Sequence, residues 1–205
     1  MRAGCLSLAV VGARRASREA RSAAYAFSGF AAANGITIVS GLALGCDTAA
    51  HLGSLDSGGH TVAVLPCGLN FIAPTSNRPL AKRIQESGGL LVSEYSPETP
   101  PRPFRFVERN RVIASLSRAV IIMEAEQRSG TMHTARFALE QRKALACYVP
   151  DSGPVSSGCR LLLENHGATP LRNVADIVSF LETLSNTTKA TPSSWQGKGE
   201  GGWRV

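Results

Sequence analysis

The chain lacks paired metal ligands, long apolar runs and a dinucleotide fingerprint, and each absence removes a class of protein. Its five cysteines (Cys5, Cys46, Cys67, Cys147 and Cys159) are scattered, with no Cys-x-x-Cys and no paired histidines. That spacing suits neither a zinc site nor a disulfide framework; it reads as buried free thiols in a reducing cytoplasm. The apolar run at residues 6–11 is too short for a signal peptide, and no segment approaches the length of a membrane span. No Gly-x-Gly-x-x-Gly occurs, so a nicotinamide-dependent redox enzyme loses its main support. No metal and no cofactor are expected.

Aromatic residues are also few, at 6%, and charged residues make up only 18% of the 205 positions, whereas glycine occurs 20 times. With 43% hydrophobic residues the chain can bury one substantial core. The formal net charge of +7 favours an anionic partner, and its distribution says more than its sum. No lysine or arginine lies between Arg21 and Arg78, while Arg102, Arg105, Arg109, Arg111 and Arg118 crowd one stretch against the single acid Glu108. Arg14, Arg15, Arg18 and Arg21 form a second group just after the first apolar run. Solvated surface is the plain alternative for any one such run.

Short apolar runs alternate with helical patterns. Strands are predicted at 6–11, 36–40, 60–65, 90–93, 119–123 and 144–149. Helices are predicted after Ser17, over 47–57, from Pro79 to the Gly88-Gly89 pair, and over 107–116, 132–142, 158–165 and 175–184. The segment EYSPETPPRPFRF is too rich in proline for the interior of an element. The alternation predicts an α/β fold with a doubly wound, mainly parallel sheet of the extended Rossmann-like kind. It forms a single domain over residues 1–184, with a disordered tail over 185–205. In such folds ligands sit beyond the carboxyl ends of the strands, where the glycine-rich turns of this chain fall.

Four stretches carry candidate chemistry. VGARRAS places Gly12, Arg14 and Arg15 at the end of the first strand, where a cation opposes the helix dipole unless it faces an anion. IVSGLALGCDTAAH sets Ser40, Gly41, Ala43 and Gly45 before an N-capping Asp47; glycines at positive φ would bring backbone N–H groups close to phosphate. His51, one turn beyond Asp47, is placed for a structural i, i+4 pairing. SGTMHTARFALE puts Ser129, Gly130, Thr131 and Thr134 at another strand-to-helix junction. Arg109, Asn110 and Arg111 offer guanidinium forks to phosphate, with Phe104 or Phe106 as a surface for a base. Alternatively these aromatics belong to the core, and Arg109 pairs with Glu94 or Glu124. Asn77 and Arg78 complete the candidate set.

In this order, VVGARRAS, IVSGLALGCDTAAH, GGHTVAVLPCGLNFIAPTSN, GGLLVSEYSP, FRFVERNRVIASLSRAVIIMEA, SGTMHTARFALEQRKALACYVP and GCRLLLENHGA resemble the Rossmann-like domain of the DNA-processing protein A (DprA/Smf) family. The resemblance spans residues 6–170. It implies a cytoplasmic homodimer that binds single-stranded DNA and hands it to a RecA-type recombinase in natural transformation, without catalysing a reaction. It places the family's phosphate contacts on Arg14, Ser40, Gly41, Ala43, Arg109, Asn110, Arg111, Ser129, Gly130 and Thr134. The chain departs from the family pattern at Leu44, Ala73, Thr75 and Asp151, so some phosphate contacts are expected to be missing. The flanking helical and winged-helix domains common in the family are not in this sequence, which is expected to be an excised domain or a stand-alone relative. The competing expectation is a nucleotide-binding enzyme or sensor like the related phosphoribohydrolases, of whose signature only Gly130-Thr131 remains.

Overall fold

Ser-Leu-Ala-Val-Val forms β1 (Ser7–Val11), and all five residues are buried, as a strand covered on both faces requires. The computed structural model describes residues 6–187, with side chains to residue 184. Cys5 and residues 188–205 of the expected tail lie outside the described residues.

After β1 the chain alternates strand and helix: α1 (Arg18–Ala33), β2 (Thr37–Ser40), α2 (Cys46–Asp56), β3 (Thr61–Val64), a 3-10 turn at Thr75–Asn77, α3 (Arg78–Glu86) and β4 (Leu90–Val92). It continues through α4 (Pro103–Glu108), α5 (Asn110–Ser115), β5 (Ala119–Ile122), α6 (Gly130–Glu140), β6 (Ala144–Tyr148), α7 (Ser157–Asn165), β7 (Thr169–Leu171) and α8 (Val174–Thr187). The strands form one sheet in the order β4-β3-β2-β1-β5-β6-β7, and every pairing is parallel.

Three elements differ from the sequence expectation. The proline-rich stretch does contain a helix, α4, which starts at Pro103; proline fits the first helical turn, where its missing N–H costs nothing. The helix expected over 107–116 is divided at Arg109 into α4 and α5. A seventh strand, β7, adds an edge; it is three residues long and holds Pro170, which an edge strand tolerates.

Side chains of successive residues point to opposite faces. Leu8, Val10, Ile38 and Ile121 pack with Phe27 of α1 and Ile177 and Phe180 of α8. Ala9, Val11, Val39, Val120 and Ile122 pack with Ile113 of α5, Met132 and Ala135 of α6 and Leu162 of α7. A fully buried aliphatic side chain contributes about 1.5–3 kcal/mol, whereas exposed ion pairs such as Lys82–Glu86 and Arg136–Glu140 contribute about 0–1 kcal/mol. The two apolar layers therefore hold the fold. Cys46, Cys67, Cys147 and Cys159 are buried free thiols, as their spacing suggested.

The sequence of connections fixes where a ligand can bind. From β1 the chain winds outward through β2, β3 and β4, then returns along α4 and α5 to lay β5 on the other side of β1. The turns after β1 and β5 consequently diverge, and a cleft opens between them.

Candidate functional site

The cleft is a cavity of about 380 Å³, lined by Gly12, Ala13 and Arg14 after β1, by Ala43 and Asp47, by Pro103, Phe106, Val107, Arg109 and Asn110, and by Ser129, Gly130, Thr131 and Thr134. The structure thus brings together residues that lie far apart in the chain, from Val11 to Thr134. Ser40, Gly41, Gly45, Asn77, Arg78, Arg15 and Arg111, also expected there, do not line it.

The turn after β2 is built differently from expectation. Asp47 does not cap α2: the helix starts one residue earlier, with Gly45 at the cap position and no side-chain cap bond. The Asp47 carboxylate is instead 5% exposed and accepts from the N–H groups of Gly41 (3.0 Å) and Ala43 (3.4 Å). Those two amides, expected to face phosphate, are therefore already spent on a carboxylate. Positive φ falls on Leu42 (57°) and Gly45 (78°), not on Gly41. Gly41 is needed for space, because a Cβ there would meet the Arg109 guanidinium at 2.7 Å and Asp47 Oδ2 at 2.8 Å. Gly45 is needed for both reasons, since a Cβ would also strike the carbonyls of Ala13 and Arg14. Leu42 holds a left-handed conformation while fully buried, strain that the packed turn sustains.

Arg109 is a correction of the same kind. It is 4% exposed and donates to the carbonyls of Gly41 (2.7 Å) and Val64, and its Nε donates to Asn110 Oδ1 (3.2 Å). Burial pulls its pKa down to about 10, with Asp47 acting against that pull, so it stays charged at neutral pH. Burial likewise pushes Asp47 up, opposed first by Arg109 and then by the backbone N–H groups. The two form the floor of the cleft, a charge-balanced pair that shapes the turn and leaves little of Arg109 for a ligand. Glu94 does pair with an arginine, but with Arg111 at 2.9 Å.

His51 does not reach Asp47. Its Nδ1 contacts Thr61 Oγ1 at 2.7 Å, and it is fully buried, which drives its pKa down to about 3. Ser40 donates to the Val10 carbonyl (2.7 Å), joining β2 to β1. Asn77 donates to the Leu42 carbonyl (2.8 Å) and to Thr48 Oγ1 (2.9 Å), clipping the same turn from outside. Arg15 and Arg78 are exposed away from the cavity.

What remains open to a ligand is the other side of the cleft. Ser129 precedes α6 without a side-chain cap bond, and its buried Oγ has no hydrogen-bond partner. The N–H groups of Gly130 and Thr131 belong to the first helical turn, where no intrahelical acceptor exists. Gly130 is exposed, and a Cβ there would meet nothing within 4 Å, so the start of α6 borders open space. Asn110 holds the turn by donating to the Gly130 carbonyl at 3.2 Å. Across the mouth Arg14 is exposed, with its guanidinium 4.9 Å from the centre of the Phe106 ring. Uncommitted N–H groups, an unpartnered hydroxyl and an exposed cation suit a phosphate oxygen. The role of Asp47 was missed in the sequence, where its position before an alanine-rich run read as a cap.

A family model described as DNA recombination-mediator protein A matches residues 3–182 of this chain. Protein Smf of Escherichia coli (strain K12) is 41% identical over 176 residues, which cover 85% of this chain and 47% of that protein. The DNA processing protein DprA of Streptococcus pneumoniae is 39% identical over 181 residues, covering 85% of this chain and 61% of that one. Among solved structures, DNA processing protein A of Helicobacter pylori, described for its single-stranded DNA binding mode, matches with a TM-score of 0.75 and 34% identity. That match covers 87% of this chain and 80% of the other. The chain spans about half the length of the curated relatives it matches, 47% and 61%.

Proposed function

The chain belongs to the DNA recombination-mediator protein A family, and on that premise we propose that it binds single-stranded DNA at the cleft between β1 and β5. The observation that carries the proposal is the open N-terminus of α6, with the unpartnered Ser129 hydroxyl, facing the exposed Arg14 across one cavity. A phosphodiester fits this arrangement: its oxygens take the N–H groups and hydroxyl, and the Arg14 fork takes a second pair of lone pairs. The net charge of +7 adds long-range attraction to a polyanion.

The reading is of a DNA-processing protein that holds its strand without changing it. The one carboxylate in the cavity lining, Asp47, is tied to two N–H groups and buried. Glu124, one of two acids shortly before the Gly130-Thr131 turn that the phosphoribohydrolase comparison invokes, accepts from the Ser17 N–H, and like Glu126 it does not line the cavity. None of these acids is placed to give or take a proton at a bound nucleotide. Delivery of the strand to a RecA-type recombinase, pairing of two copies and action in the cytoplasm are the finer parts of this reading, and they rest on the resemblance. Among the described residues no helix is long and apolar enough to cross a membrane.

Titration with single-stranded DNA, duplex and mononucleotide at several salt concentrations tests the proposal. Single strands should bind more tightly than duplex, with log affinity falling by about 0.7 per phosphate contacted for each unit of log salt. Equal affinity for duplex, or no salt dependence, would contradict it. Incubation with nucleoside monophosphates should release no free base.

A further inference from the structure

Beside the cleft, on the outer side of α4, the structure carries a stack that the phosphate site does not use. The Arg105 guanidinium lies over two rings, 5.0 Å from the centre of Tyr95 and 5.5 Å from that of Phe104. The stack is held in place at its edges: Arg105 donates to the Pro100 carbonyl, and the Tyr95 hydroxyl donates to Glu108 at 3.0 Å. Tyr95 is half-buried, whereas Phe104 is 57% exposed, more than any other large hydrophobic residue among the described ones. The result is a pre-ordered row of ring and cation that ends in an open ring. Neither fold nor cleft requires that ring: α4 buries no residue, and Phe106 and Val107, not Phe104, face the cavity.

We propose that Phe104 is a stacking platform for an unpaired base of the strand whose phosphate occupies the cleft, one nucleotide removed from it. The inference rests on the proposed binding of single-stranded DNA. Three features select a nucleic-acid base over an apolar partner. The ring belongs to the arginine-rich stretch, with Arg102 and Arg105 beside it and Arg14 over the neighbouring Phe106, so the approach is cationic. Phe104 is within one helical turn, about 5.4 Å along the axis, of cavity-lining residues, which is the scale of one nucleotide step. A ring backed by a guanidinium presents a flat face that any base can cover, without selecting its sequence. Duplex DNA cannot use it, because its bases are already stacked. The platform therefore supplies a preference for single strands that a phosphate cradle alone lacks.

The test uses the full chain, titrated with thymidine 5′-monophosphate and with thymidylate oligomers of two, four and twelve nucleotides. Phe104→Ala is expected to lose about tenfold on the twelve-mer, equivalent to about 1.4 kcal/mol, while mononucleotide affinity and the unfolding temperature stay at wild-type values. Phe104→Trp, with Trp195 and Trp203 replaced by Phe, should restore affinity, and its emission should be quenched on adding the twelve-mer. Wild-type affinity of Phe104→Ala for the twelve-mer overturns the platform, as does an equal loss on mononucleotide and oligomer or an emission that DNA leaves unchanged. Loss of affinity only in step with a lowered unfolding temperature also overturns it, since the stack then serves the fold. A wild-type chain that binds no oligomer would overturn the DNA-binding reading itself before any variant is made.

Discussion

Two of the clefts at the carboxyl ends of the strands differ in what has already been done with their helix N-termini. The cleft between β1 and β5 has a volume of about 380 Å³; a second, lined by Glu19, Glu124, Glu126, Tyr148 and Arg160, is larger at about 470 Å³. In the second, Glu124 accepts from the N–H of Ser17, which caps α1, and Glu126 accepts from the Ser157 hydroxyl at the start of α7. Glu19 accepts from the Tyr148 hydroxyl and the Asp151 N–H, both at 3.1 Å. The protein's own carboxylates thus sit where an anion would go, and three of them repel any phosphate that approaches. In the first cleft, Asp47 serves the β2 turn beside a charged Arg109, and the start of α6 is left open. Size does not choose between the clefts. The placement of internal carboxylates does.

Substitutions sharpen that contrast. The largest effect is expected from Arg109→Ala, which strands Asp47 as a buried unpaired charge and leaves two carbonyls without a donor. Stability should fall by about 3–5 kcal/mol in urea unfolding; an unchanged midpoint would mean that the floor of the first cleft is not held as described. Acid comes next. The His51 pKa is about 3 in the fold against an ordinary 6.5, so between these values the unfolded chain binds the extra proton. Stability should therefore decline as pH falls from about 6.5 towards 3, by something on the order of 3 kcal/mol at pH 4. Asp47, whose pKa is raised, acts in the opposite sense and makes the decline shallower. His51→Gln should flatten the slope in that window, and a slope that persists would assign it to other groups.

Smaller effects separate binding from folding. Arg14→Ala should weaken single-stranded DNA binding roughly tenfold with the unfolding temperature unchanged, because an exposed arginine contributes about 0–1 kcal/mol to stability. Arg160→Ala, in the second cleft, should leave the affinity within about twofold. If the two variants behave alike, the clefts are not distinguished. Ser129→Ala should have the smallest effect, a loss of about two- to tenfold in affinity with stability unchanged or slightly raised, because its hydroxyl is buried without a partner. A clear loss of stability would show that the hydroxyl serves the fold.

The parallel sheet and the position of the cleft were legible in the sequence, because apolar runs such as residues 6–11 and 119–123 are bounded by glycine-rich turns. The division of labour among the arginines was not. Arg14, Arg109 and Arg111 all read as phosphate ligands, yet one is open, one is the floor and one pairs with Glu94. A signal for Arg109 was present: with Phe106 three residues before it and Ile113 four after, it shares the inward stripe of α4 and α5. Nothing in the local pattern shows that Asp47 turns back to Gly41 and Ala43, since an aspartate at a helix start most often caps it. β7 escaped because three residues with a proline carry too little period-2 pattern to register.

Photo-crosslinking tests the central claim most directly. The intact chain is mixed with an oligonucleotide carrying photoreactive thymidines, irradiated, digested and mapped by mass spectrometry. Crosslinks are predicted on the peptides holding Arg14, residues 103–107 and residues 129–134, and none on residues 150–160 of the second cleft. Crosslinks concentrated on residues 150–160, with the peptides around Arg14 and Ser129 unmodified, would contradict the account.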